Sequence, residues 1–183
     1  NRFFVPWLNE ACHLLEEGVG TAAQIDAVAR KAFKIGLGPF GLMNLTGPPI
    51  ALHSTDYLAE QLSTPRYKGA QNLRKLVSNN EQWEISSDGE YTPSQYEQIS
   101  RRLYGVVFGV ATQIVEEGVC SVEDVDRGAK VGLRWALGPF ELMNRIGVAN
   151  ALEMALTYQE ICDSADDQQS WKVPEFFLEQ SSD

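Results

Sequence analysis

The chain has 183 residues, of which 44% are hydrophobic, and a formal net charge of −10. That length holds one moderate domain or two small ones, and the hydrophobic share is that of a folded core rather than a disordered polymer. The charge argues against a general binder of nucleic acid or anionic membrane, because neutralising phosphates needs a basic surface.

From Arg2 to Glu17 the apolar residues Phe3, Phe4, Trp7, Leu8, Ala11, Leu14 and Leu15 form a helical stripe. Pro6 is tolerated in a first turn, and Gly18 supplies a stop. Thr21 with Gln24 reads as a capping box opening a second helix to about Phe33, with Ile25, Val28, Ala29 and Ala32 inward. Gly36 and Gly38 break the chain, and Pro39 starts a short helix. Gly47-Pro48-Pro49 is the next break. A helix from Ile50 to about Leu62 follows, then a short one over Asn72–Val77.

The polar stretch 79–93 reads as a linker, with Asp88-Gly89 as a turn between two short strands. A long helix is expected from Ser94 to Glu117, striped by Ile99, Leu103, Val106, Val107, Val110 and Ile114. Gly105 and Gly109 on it would admit a close neighbour. Ser121 caps the next helix, Pro139 begins another short one, and Val148 to about Ile161 is the last long one. In the polar tail, Trp171, Phe176, Phe177 and Leu178 are expected to dock on the body.

The chain repeats itself at an offset of one hundred residues: Leu37–Asn44 (LGPFGLMN) returns as Leu137–Asn144 (LGPFELMN). Glu16, Glu17, Gly18, Val19 and Asp26 fall on Glu116, Glu117, Gly118, Val119 and Asp126, and Gly47, Ala51 and Leu52 on Gly147, Ala151 and Leu152. The period is too long for a solenoid. Two copies of a small domain, packed about a pseudo-two-fold axis, are the expectation: residues 1–78 and 94–183, joined by 79–93. The fold class read from the sequence is all-α.

Three widely spaced cysteines (Cys12, Cys120, Cys162) make no disulfide framework and suit a cytoplasmic protein. His13 and His53 give no zinc spacing. No apolar run approaches the ~20 residues of a membrane span. The chain opens on Asn1-Arg2-Phe3-Phe4, already amphipathic, as a piece of a longer protein would.

Gly-x-Gly-x-x-Gly after a strand is missing, so no dinucleotide site is expected in these residues. Glu16-Glu17 and Glu116-Glu117 read as solvated helix ends. Asp26 and Asp126 read as structural, bonding to the glycine-rich loop. Cys12 and His13 diverge by about 100° on a helix, and Cys12 belongs to the core. Arg30, Lys31 and Lys34 read first as a cationic helix end, second as a phosphate patch. Phe40, Leu42 and Met43, with Phe140, Leu142 and Met143, suit either an acyl channel or a core, and periodicity does not decide between them.

Asn1-Arg2 leading into a helix, Leu14–Val19 (LLEEGV), Ile25-Asp26 and Gly38-Pro39-Phe40-Gly41-Leu42 with Gly47 resemble the C-terminal domain of 3-hydroxyacyl-CoA dehydrogenases. Val119, Val125-Asp126, Gly138–Leu142 and Gly147 repeat the pattern, as in the two-copy multifunctional fatty acid oxidation proteins. The resemblance implies a helical domain of the 6-phosphogluconate dehydrogenase C-terminal type. It further implies a parent enzyme that oxidises (S)-3-hydroxyacyl-CoA with NAD. The NAD would be bound by a separate Rossmann domain that also carries a catalytic His–Glu pair, and no cofactor is expected in these residues. Partners implied are acyl-CoA, that Rossmann domain and a crotonase domain; in single-copy members the helical domain dimerises, so a homodimer stays open here.

The resemblance puts Asn1 beside the catalytic histidine, facing substrate; Phe40, Met43 and Asn44 are the candidate substrate-binding residues. Gly41 stands where the family usually has glutamate, which Glu141 keeps; Asn44 and Asn144 stand where aspartate is common. A non-catalytic helical assembly module, or the helical domain of a related hydroxyacid or hydroxyacyl reductase, are the alternatives.

Overall fold

The computed structural model describes residues 1–86, 89–164 and 172–179. Among them every regular element is a helix. In order these are α1 (Phe4–Glu16), α2 (Ala22–Phe33), α3 (Pro39–Thr46), α4 (Pro48–Gln61), α5 (Gln71–Ser78), α6 (Pro93–Glu116), α7 (Val122–Gly132), α8 (Pro139–Ile146), α9 (Val148–Ser164) and the short α10 (Glu175–Glu179). A single 3₁₀ turn, Pro65–Tyr67, separates α4 from α5. No described helix is long and apolar enough to cross a membrane.

The boundaries follow local chemistry. Thr21 and Gln24 close a full capping box at α2, and Thr92 with Gln95 does the same for α6. Gly18 and Gly118 end α1 and α6 with φ of +70° and +67°, where glycine carries no Cβ penalty. Prolines begin α3, α4, α6 and α8, where a missing N–H costs nothing.

Packing runs in parallel through the chain. α1 lies against α3 and α4, and α6 lies against α8 and α9; α2 packs on α3, and α7 on α8. Helices α1 and α6 meet along the middle. Residues from both lengths of chain form one continuous core, including Trp7, Ile25, Phe33 and Leu73 with Leu103, Phe108, Leu142 and Tyr158. Gly105 permits the approach of α6 to α9: a Cβ there would lie 2.5 Å from the Met154 carbonyl oxygen. Arg2 pairs with Glu117 and Arg102 with Glu17, so the two ends of the α1–α6 seam carry the same exchange in opposite directions.

Two sequence readings change. Glu17 and Glu117 are half exposed, yet each is engaged by an arginine from the other length of chain; arginines so far away in sequence leave no local signal. The linker makes no strand among its described residues, and Asp88 of the expected turn lies outside them. A lone extended segment needs other partners for its backbone, and here Asn44 supplies them: its side-chain amide donates to the Trp83 carbonyl, and its oxygen accepts from the Trp83 N–H, both at 2.9 Å. Trp83 is buried against Phe40, ring centroids 4.8 Å apart. Of the tail aromatics, Phe177 is buried in the core and Leu178 is exposed. Trp171 and the Phe176 side chain lie outside the described residues.

Candidate functional site

The repeated aspartates are the simplest piece. Asp26, on α2, accepts hydrogen bonds from the Phe40 and Gly41 backbone N–H groups, both at 2.8 Å. Asp126 does the same for Phe140 and Glu141, at 2.8 and 3.1 Å. A carboxylate reaching across from a neighbouring helix thus satisfies donors that the first turn of a short helix leaves open. Gly38 makes room, because a Cβ there would lie 2.6 Å from the Asp26 Cα. Burial raises the Asp26 carboxyl to about 6, against the two N–H groups that favour its charge.

Asp26→Ala leaves two buried donors unpaired. It is expected to cost about 2–3 kcal/mol of unfolding free energy, read as a lower urea midpoint at unchanged slope.

The clamp fixes α3, and α3 forms one wall of an apolar cleft of about 550 Å³. Phe4, Trp7 and Leu8 of α1 form a second wall, and Trp135 with Arg134, from the α7–α8 connection, a third. Trp135 stands edge-on to Phe3 and Trp7 at 5.7 and 5.5 Å and lies 5.0 Å from Phe33. Leu42 and Leu45 line the cleft from α3, and Leu45 is 72% exposed. Asn1 precedes Phe4 by one turn and is itself exposed; its carbonyl accepts from the Val5 N–H at 2.8 Å.

Phe40 and Met43 point the other way. Both are fully buried, and neither lines the cleft. Asn44 is taken up by Trp83. These three support the α3 wall from behind, which periodicity left undecided. Leu42 and Leu45 face the open space, with Trp7 and Trp135 buried in its walls. For Trp135 the sequence held no signal, since its cleft partners on α1 and α3 lie about 90 or more residues away.

A buried polar network lies along α1. Glu10, 1% exposed on the inner face of α1, meets Arg66 at 2.7 Å and also Arg102. Burial alone would raise its carboxyl, but Arg66 and then Arg102 outweigh that and bring it down to about 2. Asn9, also buried, holds the segment before α5 through the Lys68 carbonyl and the Ala70 N–H, both at 3.0 Å. The expected basic patch is divided: Lys31 sits over the Tyr91 and Tyr96 rings at 5.8 and 5.0 Å, while Lys34 terminates α2 in the left-handed conformation. Cys12 is buried in the core, as expected. Among the described residues no cluster of His, Cys, Asp or Glu is arranged to hold a metal ion.

A model of the 3-hydroxyacyl-CoA dehydrogenase C-terminal domain matches residues 1–92 and 99–178. The chain belongs to this family. Its relatives include the fatty acid oxidation complex subunit alpha of Vibrio cholerae, 25% identical over 87% of this chain and 26% of that one. A probable 3-hydroxybutyryl-CoA dehydrogenase of Deinococcus radiodurans is 30% identical over 50% of this chain and 33% of its own length. The chain therefore spans about a quarter to a third of the length of these relatives. The crystal structure of 3-hydroxybutyryl-CoA dehydrogenase from Escherichia coli shares the fold. It superposes with a TM-score of 0.78 over 99% of this chain and 58% of its own, at 13% identity. In this 3-hydroxyacyl-CoA dehydrogenase C-terminal domain, then, the Asp–Gly-Pro-Phe clamp occurs twice, and the cleft lies between its first occurrence and Trp135.

Proposed function

We propose that these residues form the helical, acyl-CoA-facing part of an NAD-dependent (S)-3-hydroxyacyl-CoA dehydrogenase of fatty acid β-oxidation. On this reading residues 1–78 and 94–183 are two copies of one unit about a pseudo-two-fold axis, and 79–93 join them. The family match on residues 1–92 and 99–178 carries the reading. The paired exchange of Arg2 with Glu117 and Arg102 with Glu17 supports the two-copy arrangement. The second copy would then stand where a second subunit stands in single-copy members.

A dinucleotide does not fit the described residues: they contain no strand, hence no crevice at strand ends with a glycine-rich turn. NAD belongs to a Rossmann domain of the parent protein. What this chain's residues do is bind and orient. Trp7, Leu42, Leu45 and Trp135 take up the acyl chain and exclude water from it. Asn1, at the start of α1, offers its side-chain amide to the polar end of the substrate. Phe40, Met43 and Asn44 keep α3 in place. The same proposal includes a cytoplasmic location, docking of the Rossmann domain near Asn1, a crotonase domain on the parent polypeptide and a possible further pairing into homodimers.

The test is a calorimetric titration of the chain with acetoacetyl-CoA. One site per chain is expected. Leu45→Glu, at an exposed position on the cleft wall, should weaken binding about tenfold, or ~1.4 kcal/mol, without changing the melting temperature. Binding that ignores Leu45→Glu would remove the acyl chain from this cleft; no binding at all would favour a purely structural module.

A further inference from the structure

Equivalent positions in the two lengths of chain meet different fates. In the first, the cleft in front of α3 is open: Phe4 and Leu42 are half-buried on its walls, and Leu37 and Leu45 are 46% and 72% exposed. One hundred residues on, Leu142 is buried, Leu137 is half-buried, and arginine stands at 145 in place of leucine. The counterpart of Phe4 is Tyr104, which is buried. Its hydroxyl donates to the Ala32 carbonyl, and its ring packs on Phe33 at 4.7 Å. The apolar side chains that the second length folds into the core are thus left partly bare in the first.

The cleft offers a ligand little besides apolar surface. Among the described residues Arg134 is the one charged side chain in its lining, although the whole chain carries 25 acidic residues. The Thr46 hydroxyl donates to the Leu42 carbonyl at 3.0 Å, so its proton is already spent. Such a lining rewards hydrocarbon length. At roughly 30 Å³ per carbon, about the share of a water molecule in its liquid, a four-carbon acyl group would fill about a fifth of the 550 Å³ and a ten-carbon group about half.

We propose that this cleft prefers acyl chains of about eight carbons or more to a four-carbon chain, and that Leu37 and Leu45 set the preference. A longer tail covers the two leucines that the folded chain leaves in water, and each methylene laid against the walls adds to binding. The counterpart positions, with Leu142 and Tyr104 buried and Arg145 exposed, leave no equivalent bare leucines, so one tail is held per chain. The inference deepens the acyl-CoA reading and rests on it.

The experiment is calorimetric titration of the 183-residue chain with acetoacetyl-CoA, 3-oxooctanoyl-CoA and 3-oxodecanoyl-CoA. Full burial of a methylene corresponds to about fourfold in affinity. In a cleft open on one side, a gain of at least about tenfold is expected from four carbons to ten. Gly36→Phe intrudes on the same space. Gly36 lines the cleft outside the left-handed region, and a Cβ there would meet nothing within 4 Å. That variant should melt like the wild type and lower the ten-to-four affinity ratio at least about threefold. Leu45→Glu should lower the ratio as well. Acetoacetyl-CoA binding with a gain below tenfold overturns the inference and leaves the acyl-CoA reading standing. A tenfold gain that Gly36→Phe leaves intact places the tail elsewhere and overturns it too. Failure of all three ligands removes both. Should Gly36→Phe not fold, the ratio in Leu45→Glu decides.

Discussion

Glu10→Gln is expected to lower the unfolding free energy by about 3 kcal/mol at pH 7. Glu10 lies on the inner face of α1, where it compensates two arginines that are themselves largely buried: Arg66 from the turn before α5 and Arg102 from α6. Glutamine keeps the shape and one acceptor but removes the charge. Arg102 retains Glu17, and Arg66 lies 3.9 Å from that same carboxylate. Breaking such a set by removing one partner costs more than removing all partners together, because buried charges lose part of their compensation. Glu10→Met combined with Arg66→Met should therefore recover much of the loss.

The pH dependence has a definite sign. The carboxyl sits at about 2 in the fold, below the ordinary glutamate value of 4.5. Its stabilisation is thus complete above the unfolded value and is lost as the pH falls from about 4.5 to about 2. The difference between wild type and Glu10→Gln should be constant from pH 6 to 8 and shrink through that acid window. Urea midpoints across the range measure it; a difference that stays flat down to pH 2 would mean that the charge plays no part.

The sequence makes local punctuation plain and distant partnership obscure. Thr21 with Gln24, Gly18 with Gly118, and the prolines opening α3 and α8 each act within a turn of themselves, so each helix start or stop could be read directly. The Asp26 clamp spans 14 residues, and the repeat betrayed it, since a buried acid returning with the same Gly-Pro-Phe must answer the same donors. Glu10 gave no such sign. Its partners lie 56 and 92 residues away, and a charged residue among apolar neighbours on a helix reads as ordinary amphipathic edge. The cleft was obscure for a related reason: Phe40, Leu42 and Met43 are alike in hydrophobicity. Only the position of Trp83 behind α3 and Trp135 before it separates the buried pair from the lining residue.

Trp7→Ala is expected to cost about 3–5 kcal/mol, the range for deleting a buried aromatic, out of a total near 5–15 kcal/mol for a domain of this kind. Trp7 has no exposed surface and joins α1 to α2 and to the α7–α8 connection: its ring meets Phe33 at 5.6 Å and Trp135 at 5.5 Å, with Phe4 of its own helix at 5.9 Å. Phe33 in turn packs on Tyr104 of α6, whose hydroxyl donates to the Ala32 carbonyl. Removing the indole therefore loosens α1 from α2 and from the α7–α8 connection together. The void would open into the existing cleft rather than stay sealed, since Trp7 already lines it. Water then fills the space, and the loss approaches the transfer term of the indole with little recovered by collapse. Trp7→Phe keeps a ring in place and should cost about 1–3 kcal/mol. Urea midpoints for the two variants rank the effects. Acetoacetyl-CoA titration of the folded Trp7→Phe protein then asks whether the same ring that anchors the core also touches the acyl chain: weaker binding at a stability close to wild type would place it against the ligand, and unchanged binding would confine it to the core.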